Sequence, residues 1–208
     1  MKKILFWLFF FVISTTSIYA FSLFNKFETE YQSDADIIRL QHFDYYAQLL
    51  EEYHQKTGYY PFQKDEEIQN TKAYVFLMPE ERKARFKDTN PEEHLRADDS
   101  YLFEELSRVL ERPIQKKYDP QKYSTKGRPN YYIYLVTKDR MFFAIHLSAG
   151  NTFTKQVGPH YFKFELSDRD VPEFKLFSYS VLKDNDDYKR LVSQKAKKQN
   201  YLDSISTY

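Results

Sequence analysis

"HFDYYAQLLEEYHQKTGYYPF", residues His42 to Phe62, is the stretch whose reading decides the fold. At about 100° per residue, Ile38, His42, Tyr45, Tyr46, Leu49, Leu50 and Tyr53 fall on one side. Gln41, Asp44, Gln48, Glu51 and Gln55 fall on the other. The spacing predicts an amphipathic helix of about six turns, wet on one face. Ser33 or Asp34 is placed to cap it, with Asp36 in its first turn. Gly58 suits the position just past the helix end, and Pro61 forbids continuation. An aromatic stripe of this kind needs an apolar surface to pack on, and the rest of the chain supplies strands.

Downstream, "TKAYVFLM" (Thr71 to Met78) reads as a short strand. "PEERKARF" (Pro79 to Phe86) reads as a brief charged helix with Pro at its first position. "SYLFEELSRVLER" (Ser100 to Arg112) carries a second apolar stripe, Leu102, Phe103, Leu106, Val109 and Leu110, closed by Pro113. Gln115 to Asn130 is basic and turn-rich, a long surface connection. "NYYIYLVT" (Asn130 to Thr137) and "RMFFAIHLS" (Arg140 to Ser148) flank Lys138-Asp139 as a hairpin. "HYFKFEL" (His160 to Leu166) alternates as a strand, and "EFKLFSYSVL" (Glu173 to Leu182) reads as a fourth. Helices first and a meander after predict an α+β fold: the N-terminal helix and a second helix packed on an antiparallel sheet of four or five strands. One domain is expected over residues 34–182, with 183–208 a polar C-terminal helix and tail. The hairpin strands are apolar on both faces, Tyr131, Ile133 and Leu135 against Tyr132, Tyr134 and Val136. Two helices can cover one of those faces, and the other must be covered or used.

Composition sets the boundaries on function. The net charge is +1, so nothing in the bulk points to nucleic acid. There is no Cys, which removes disulfides, thiolate chemistry and Cys-ligated metal. With 4 Gly there is little material for a glycine-rich phosphate loop. No motif calls for a cofactor. Met1-Lys2-Lys3, the apolar run Ile4 to Ile13 and the more polar Ser14 to Ala20 form the three parts of a secretory signal peptide over residues 1–20. The competing reading is an uncleaved anchor over residues 4–24, which would touch the inner membrane. Lys2 and Lys3 stay inside in either case. The expected address is therefore the periplasm or beyond, or the inner membrane with the C-terminal domain in the periplasm.

Leu50, Tyr53, Thr57, Gly58, Tyr60 and Pro61 also resemble the end of the long N-terminal helix in type II secretion pseudopilins and type IV pilins. The resemblance covers residues 45–62. It implies a helix that runs through a Gly-Tyr-Pro turn into a sheet. Proteins of that kind carry a Gly-Phe processing site before the apolar segment; this chain has no Gly before Gly58.

The candidate site residues divide into two groups. His146, mid-strand, and His160, opening the next strand, could pair with Asp168 or Asp170 as a thin metal or acid–base site. Ser148 lies two residues from His146, without a nucleophile elbow around it. No residue set has the spacing of a metal site, so no metal is expected. The second group is aromatic and basic. Tyr118, Tyr123 and Arg128 in the long loop, with Tyr132 and Tyr134 on the sheet, are the residue types that anchor interfaces. The sequence thus predicts an exported binding protein that holds a protein partner or a glycan through an aromatic surface, for instance an immunity-type inhibitor. A pilin-like accessory of a secretion apparatus and a His-based hydrolase or metal enzyme are the alternatives.

Overall fold

The computed structural model describes residues 32–69, 71–83, 95–124 and 126–196, with the backbone alone for 95–97. The leader expected at residues 1–20, the alternative anchor at 4–24 and the last twelve residues of the tail lie outside them. Helix α1 covers residues 32–57. Residues 32 and 33 are already helical, so neither Ser33 nor Asp34 acts as the cap expected of them. Gly58 stops the helix with a left-handed backbone (φ 76°), and its N–H donates to the His54 carbonyl at 2.7 Å. The Thr57 hydroxyl also donates to the Tyr53 carbonyl at 2.8 Å, which occupies one of the last free acceptors.

After α1 come β1 (Lys72–Leu77), α2 (Glu80–Lys83), β2 (Leu95–Ala97) and α3 (Asp99–Leu110). Asp98 caps α3 by accepting from the Ser100 N–H. The described residues of 111–131 then run without helix or strand, followed by β3 (Tyr132–Thr137), β4 (Met141–Leu147), β5 (Lys155–Gly158), β6 (Tyr161–Ser167) and β7 (Leu176–Phe177). Two short helices, α4 (Tyr179–Asp184) and α5 (Asp186–Val192), complete the described chain.

The sheet corrects the expected topology. It has seven strands in the order β2-β1-β3-β4-β6-β5, with β7 beside β6, and it is mixed. β1 pairs β2 in parallel and β6 pairs β7 in parallel; the remaining pairs are antiparallel. The additional strands are short or polar, and "KQVG" has no alternation to detect. The expected strand from Glu173 to Leu182 is largely absent. Pro172 starts a 3-10 turn over Pro172–Phe174, and Lys175 turns left-handed at φ 56°. Only Leu176–Phe177 reaches β6, and Tyr179–Asp184 is helical. Pro lacks a ladder N–H, so the run cannot enter the sheet from its start.

One face of the sheet carries Val75, Leu77, Tyr132, Tyr134, Val136, Phe143, Ile145, Phe164 and Leu166, all buried. α1 lies on this face. The Phe43 ring stacks on Phe164 with centroids 4.2 Å apart, and Tyr46 packs on Phe143 at 5.2 Å. Each such ring contributes about 1.5–3 kcal/mol by leaving water. α3 joins through Phe103 against Tyr46, and the Tyr53 hydroxyl donates to Glu105 at 2.6 Å. α5 closes the other flank: Tyr188 meets Phe153 and Phe164, and its hydroxyl donates to Asp44 at 2.8 Å. The face of α1 expected to be wet is therefore only partly so. Asp44 serves two tyrosine hydroxyls from the C-terminal helices, and the Gln41 amide donates to the Gln194 carbonyl.

Candidate functional site

The long loop before β3 is bound to α1 by a buried set of charges. The Asp119 carboxylate accepts from Arg39 Nε at 2.7 Å, Arg39 Nη2 at 3.1 Å, Arg128 Nη1 at 3.0 Å and the Gln121 N–H at 2.9 Å. Gln121 Oε1 accepts from both guanidiniums. Arg39 also donates to Asp36 at 2.6 Å, and Asp36 in turn accepts from the N–H groups of Ser148 and Ala149. Two cations face two anions, so the cluster is neutral. Burial works against the Asp119 charge, yet Arg39 and Arg128 hold the carboxyl down at about 2. Burial and the neighbouring Arg39 push the Arg128 guanidinium below its usual value, while Asp119 opposes them. Arg128 Nε has no hydrogen-bond partner. The cluster thus fixes loop, helix and the end of β4 in one geometry.

The sheet's second face is different in kind. Side chains of β1, β3, β4 and β6 bring Tyr74, Phe76, Ile133, Leu135, Phe142 and Tyr161 to it, all half-buried. Leu135 lies opposite Phe142, and Tyr74 opposite Leu135, so the apolar groups abut across three strands. The Tyr74 and Phe76 rings are near parallel, 12° apart. Lys72 stands over the Tyr74 ring and Arg140 over Phe142, at 5.7 and 5.0 Å. α1, α3, α4 and α5 make their core contacts on the first face.

A cleft of about 810 Å³ opens beside the first turns of α1. Its walls are Gln32, Asp36 and Leu40 from the helix, the segment 147–151 after β4, and His160 with Phe162 from β6 and the turn before it.

These features redistribute the expected site residues. Tyr132 and Tyr134 are fully buried, because the helices lie on their face of the sheet. The Tyr132 hydroxyl meets His42 Nδ1 at 2.9 Å, and Tyr134 donates to the Pro61 carbonyl at 2.8 Å. Neither ring can touch a partner. Arg128 is buried as the loop's anchor rather than offered as an interface arginine. Tyr118 is half-buried against Phe103, and burial followed by Asp99 raises its hydroxyl well above the usual range. Tyr123, 66 % exposed, stays on the surface beside a small hollow that Arg82 and Tyr131 also line.

The two histidines do not form a pair. His146 is buried edge-on to Tyr161, and burial, then Arg128 and Lys163, lower it to about 4. Its register partner is Lys163, three residues along β6 from His160, or about 10 Å. His160 is exposed and lines the cleft, which His146 does not. Asp168 is held by Arg140, and Asp170 accepts from the Ser178 N–H. The Ser148 hydroxyl donates to Gln32 Oε1 rather than to a base. Among the described residues, no group of three His, Asp or Glu side chains is gathered as a metal site.

Among the buried residues that sequence reading passes over are Arg39, Asp119 and Gln121. Arg39 falls within the apolar stripe, between Tyr46 and Leu50 around the helix, and a charge in that position calls for a buried partner. Compared with known protein families, with characterised proteins and with solved structures, the chain matches none.

Proposed function

We propose that this is an exported binding protein whose second sheet face seats a partner protein. The observation that carries the reading is that face itself: Ile133, Leu135 and Phe142, half-exposed on the paired strands β3 and β4, opposite a face that four helices already use. An apolar centre bounded by Lys72, Arg140 and Lys163 has the layout of a protein contact, with a dry middle and a charged rim. The side chains there are fixed by the sheet, so little rotamer freedom is lost when a partner covers them. The leader at Met1 to Ala20 supports the extracytosolic address. No helix among the described residues is long and apolar enough to cross a membrane.

The test uses a photoreactive benzoylphenylalanine placed at Leu135 in one variant and at exposed Glu104 on α3 in another. Cells of the native host are irradiated and the adduct is identified by mass spectrometry. Direct binding of the purified adduct protein is then measured with wild type and with Leu135→Glu. The expected result is an adduct from position 135 and none from 104, with binding weakened at least about tenfold by the substitution. Absence of an adduct at 135, or equal binding by a folded Leu135→Glu, refutes the reading. Cell fractionation with sequencing of the mature N-terminus checks the address.

A further inference from the structure

We propose that the cleft beside α1 is a second, independent site that binds a neutral saccharide. Its volume, about 810 Å³, lies in the range of about 300–1,000 Å³ over which proteins hold small ligands. Its one carboxylate is already neutralised within the protein. Asp36 accepts from Arg39 Nη1 at 2.6 Å and from the N–H groups of Ser148 and Ala149 at 2.9 and 3.0 Å. Lys126, on the rim, is likewise engaged within the protein. The cleft therefore has no bare charge asking for a charged ligand.

What remains for recognition is a set of positioned amides and two rings, Phe162 and the exposed His160. Gln32 Oε1 accepts from the Ser148 hydroxyl at 2.8 Å, and Asn151 Oδ1 accepts from the Phe153 N–H at 2.9 Å. Each amide oxygen is thus tied to the protein, which assigns the amide NH2 as the group left to donate. The Phe162 ring is half-exposed in the wall and lies against Gly150, where a Cβ would come within 2.7 Å of the ring. Gly150 is what lets the ring lie there. Fixed amide donors and a half-exposed aromatic ring suit a ligand with hydroxyl acceptors on its edges and C–H groups on its flat side. That is the chemistry of a sugar ring. The segment is also held in place before any ligand arrives, since Asn151 and Thr154 close a turn through two mutual hydrogen bonds.

The test is calorimetric titration of the protein, purified in the processed form that cells contain, with two probes: the trimer of N-acetylglucosamine and maltotriose. Asn151→Asp and Gln32→Glu keep the accepting oxygen and remove the donor, so both are expected to melt with the wild type. One of the two trimers should bind saturably with a Kd of about 1 mM or tighter, and each substitution should weaken it about tenfold or more. Amide chemical-shift changes on adding that trimer should concentrate at Gln32, Gly150 and Asn151, a readout that needs no variant. Leu135→Glu should leave saccharide binding unchanged, which separates this site from the protein-contact face. Two results would overturn the proposal: no saturable heat from either trimer up to about 10 mM, or equal affinity in both amide variants with shifts spread elsewhere.

Discussion

Asp119→Asn tests whether the buried charges hold the long loop to the helix. The side chain keeps its shape, so no cavity opens and the measured effect is electrostatic. Asp119 has two oxygens and receives four donors, two on each. Whichever oxygen becomes NH2, two donors lose their acceptor and meet another N–H instead. Both guanidiniums are sealed from water, Arg39 at 0 % and Arg128 at 1 % exposure. Solvent cannot replace what the carboxylate supplied. The cluster's charge also changes from neutral to one uncompensated cation. Removing one partner from a buried ion pair costs about 3–5 kcal/mol. For a chain of this size, about 2–4 °C of melting temperature goes with each kcal/mol, so a fall of roughly 6–20 °C is expected. Circular dichroism melts of the variant and of Glu104→Gln, an exposed control on α3, supply the measurement. The control should stay within about 0.5 kcal/mol of wild type. An Asp119→Asn protein that melts within about 2 °C of wild type would show that the charges are not what anchors the loop.

Stability should fall in acid in two stages. His42 and His146 are held neutral by burial, at about 3 and about 4, against an ordinary value of 6.5. The unfolded chain takes up protons first, so their stabilising effect is complete above pH 6.5 and is lost as the pH falls toward 4 and then 3. Asp119 adds a second loss between its unfolded 3.8 and its folded value of about 2. Melting temperatures across about pH 2–7 read both stages, and a His42→Gln, His146→Gln double variant should flatten the upper one. Gly58→Ala puts a Cβ on a left-handed residue at φ 76° and should cost about 1 kcal/mol, seen as a lower urea midpoint. Tyr134→Phe removes a buried hydroxyl from the Pro61 carbonyl and should cost about 1–3 kcal/mol in the same assay. Its affinity for the partner should not change, because its ring lies on the helix side of the sheet.

Sequence periodicity finds surfaces, and it does so one element at a time. Of the stripe read from the helix, Ile38, Tyr46, Leu49, Leu50 and Tyr53 are buried, while His42 and Tyr45 are half-buried. Leu40 and Ala47, just as buried, sit well outside that stripe. Their burial is illegible because α1 is covered on more than one side, and a single-stripe reading assumes one covering surface. The same limit explains the faces of β3. Alternation separates Tyr132 and Tyr134 from Ile133 and Leu135, but both sets are apolar, so composition cannot say which one the helices take. Tyr132 and Tyr134, expected as interface anchors, lie on the face that the helices cover and are buried there. His160 is exposed on the cleft wall, and His146 is buried away from it; their separation follows from register, which no local pattern specifies.

The loop from 111 to 131 shows what a chain without Cys does with a long irregular segment. A stretch of that length lacking helix and strand is uncommon in a folded domain and carries a closure cost that grows with its length. A disulfide would offset that cost by constraining the unfolded chain. Here the offset has to come from the folded side alone. Arg39 and Asp119 are 80 positions apart and meet with both polar ends sealed from water. Such a contact has no strength in the unfolded chain, where both groups are hydrated, and gains it only when the surrounding core has excluded solvent from them. The consequence is an order of dependence: the aromatic core must form before the charge cluster can hold the loop, and the loop must be held before Ser148, Asn151 and the cleft they border take their shape. Asp119→Asn should therefore loosen the cleft as well as lower the melting point, and amide exchange at Ser148 and Ala149, whose N–H groups rest on Asp36 beside Arg39, should speed up more than at Val75 or Phe143 in the centre of the sheet. Equal acceleration at all four positions would mean that the cluster and the core melt as one unit, and that the proposed order is wrong.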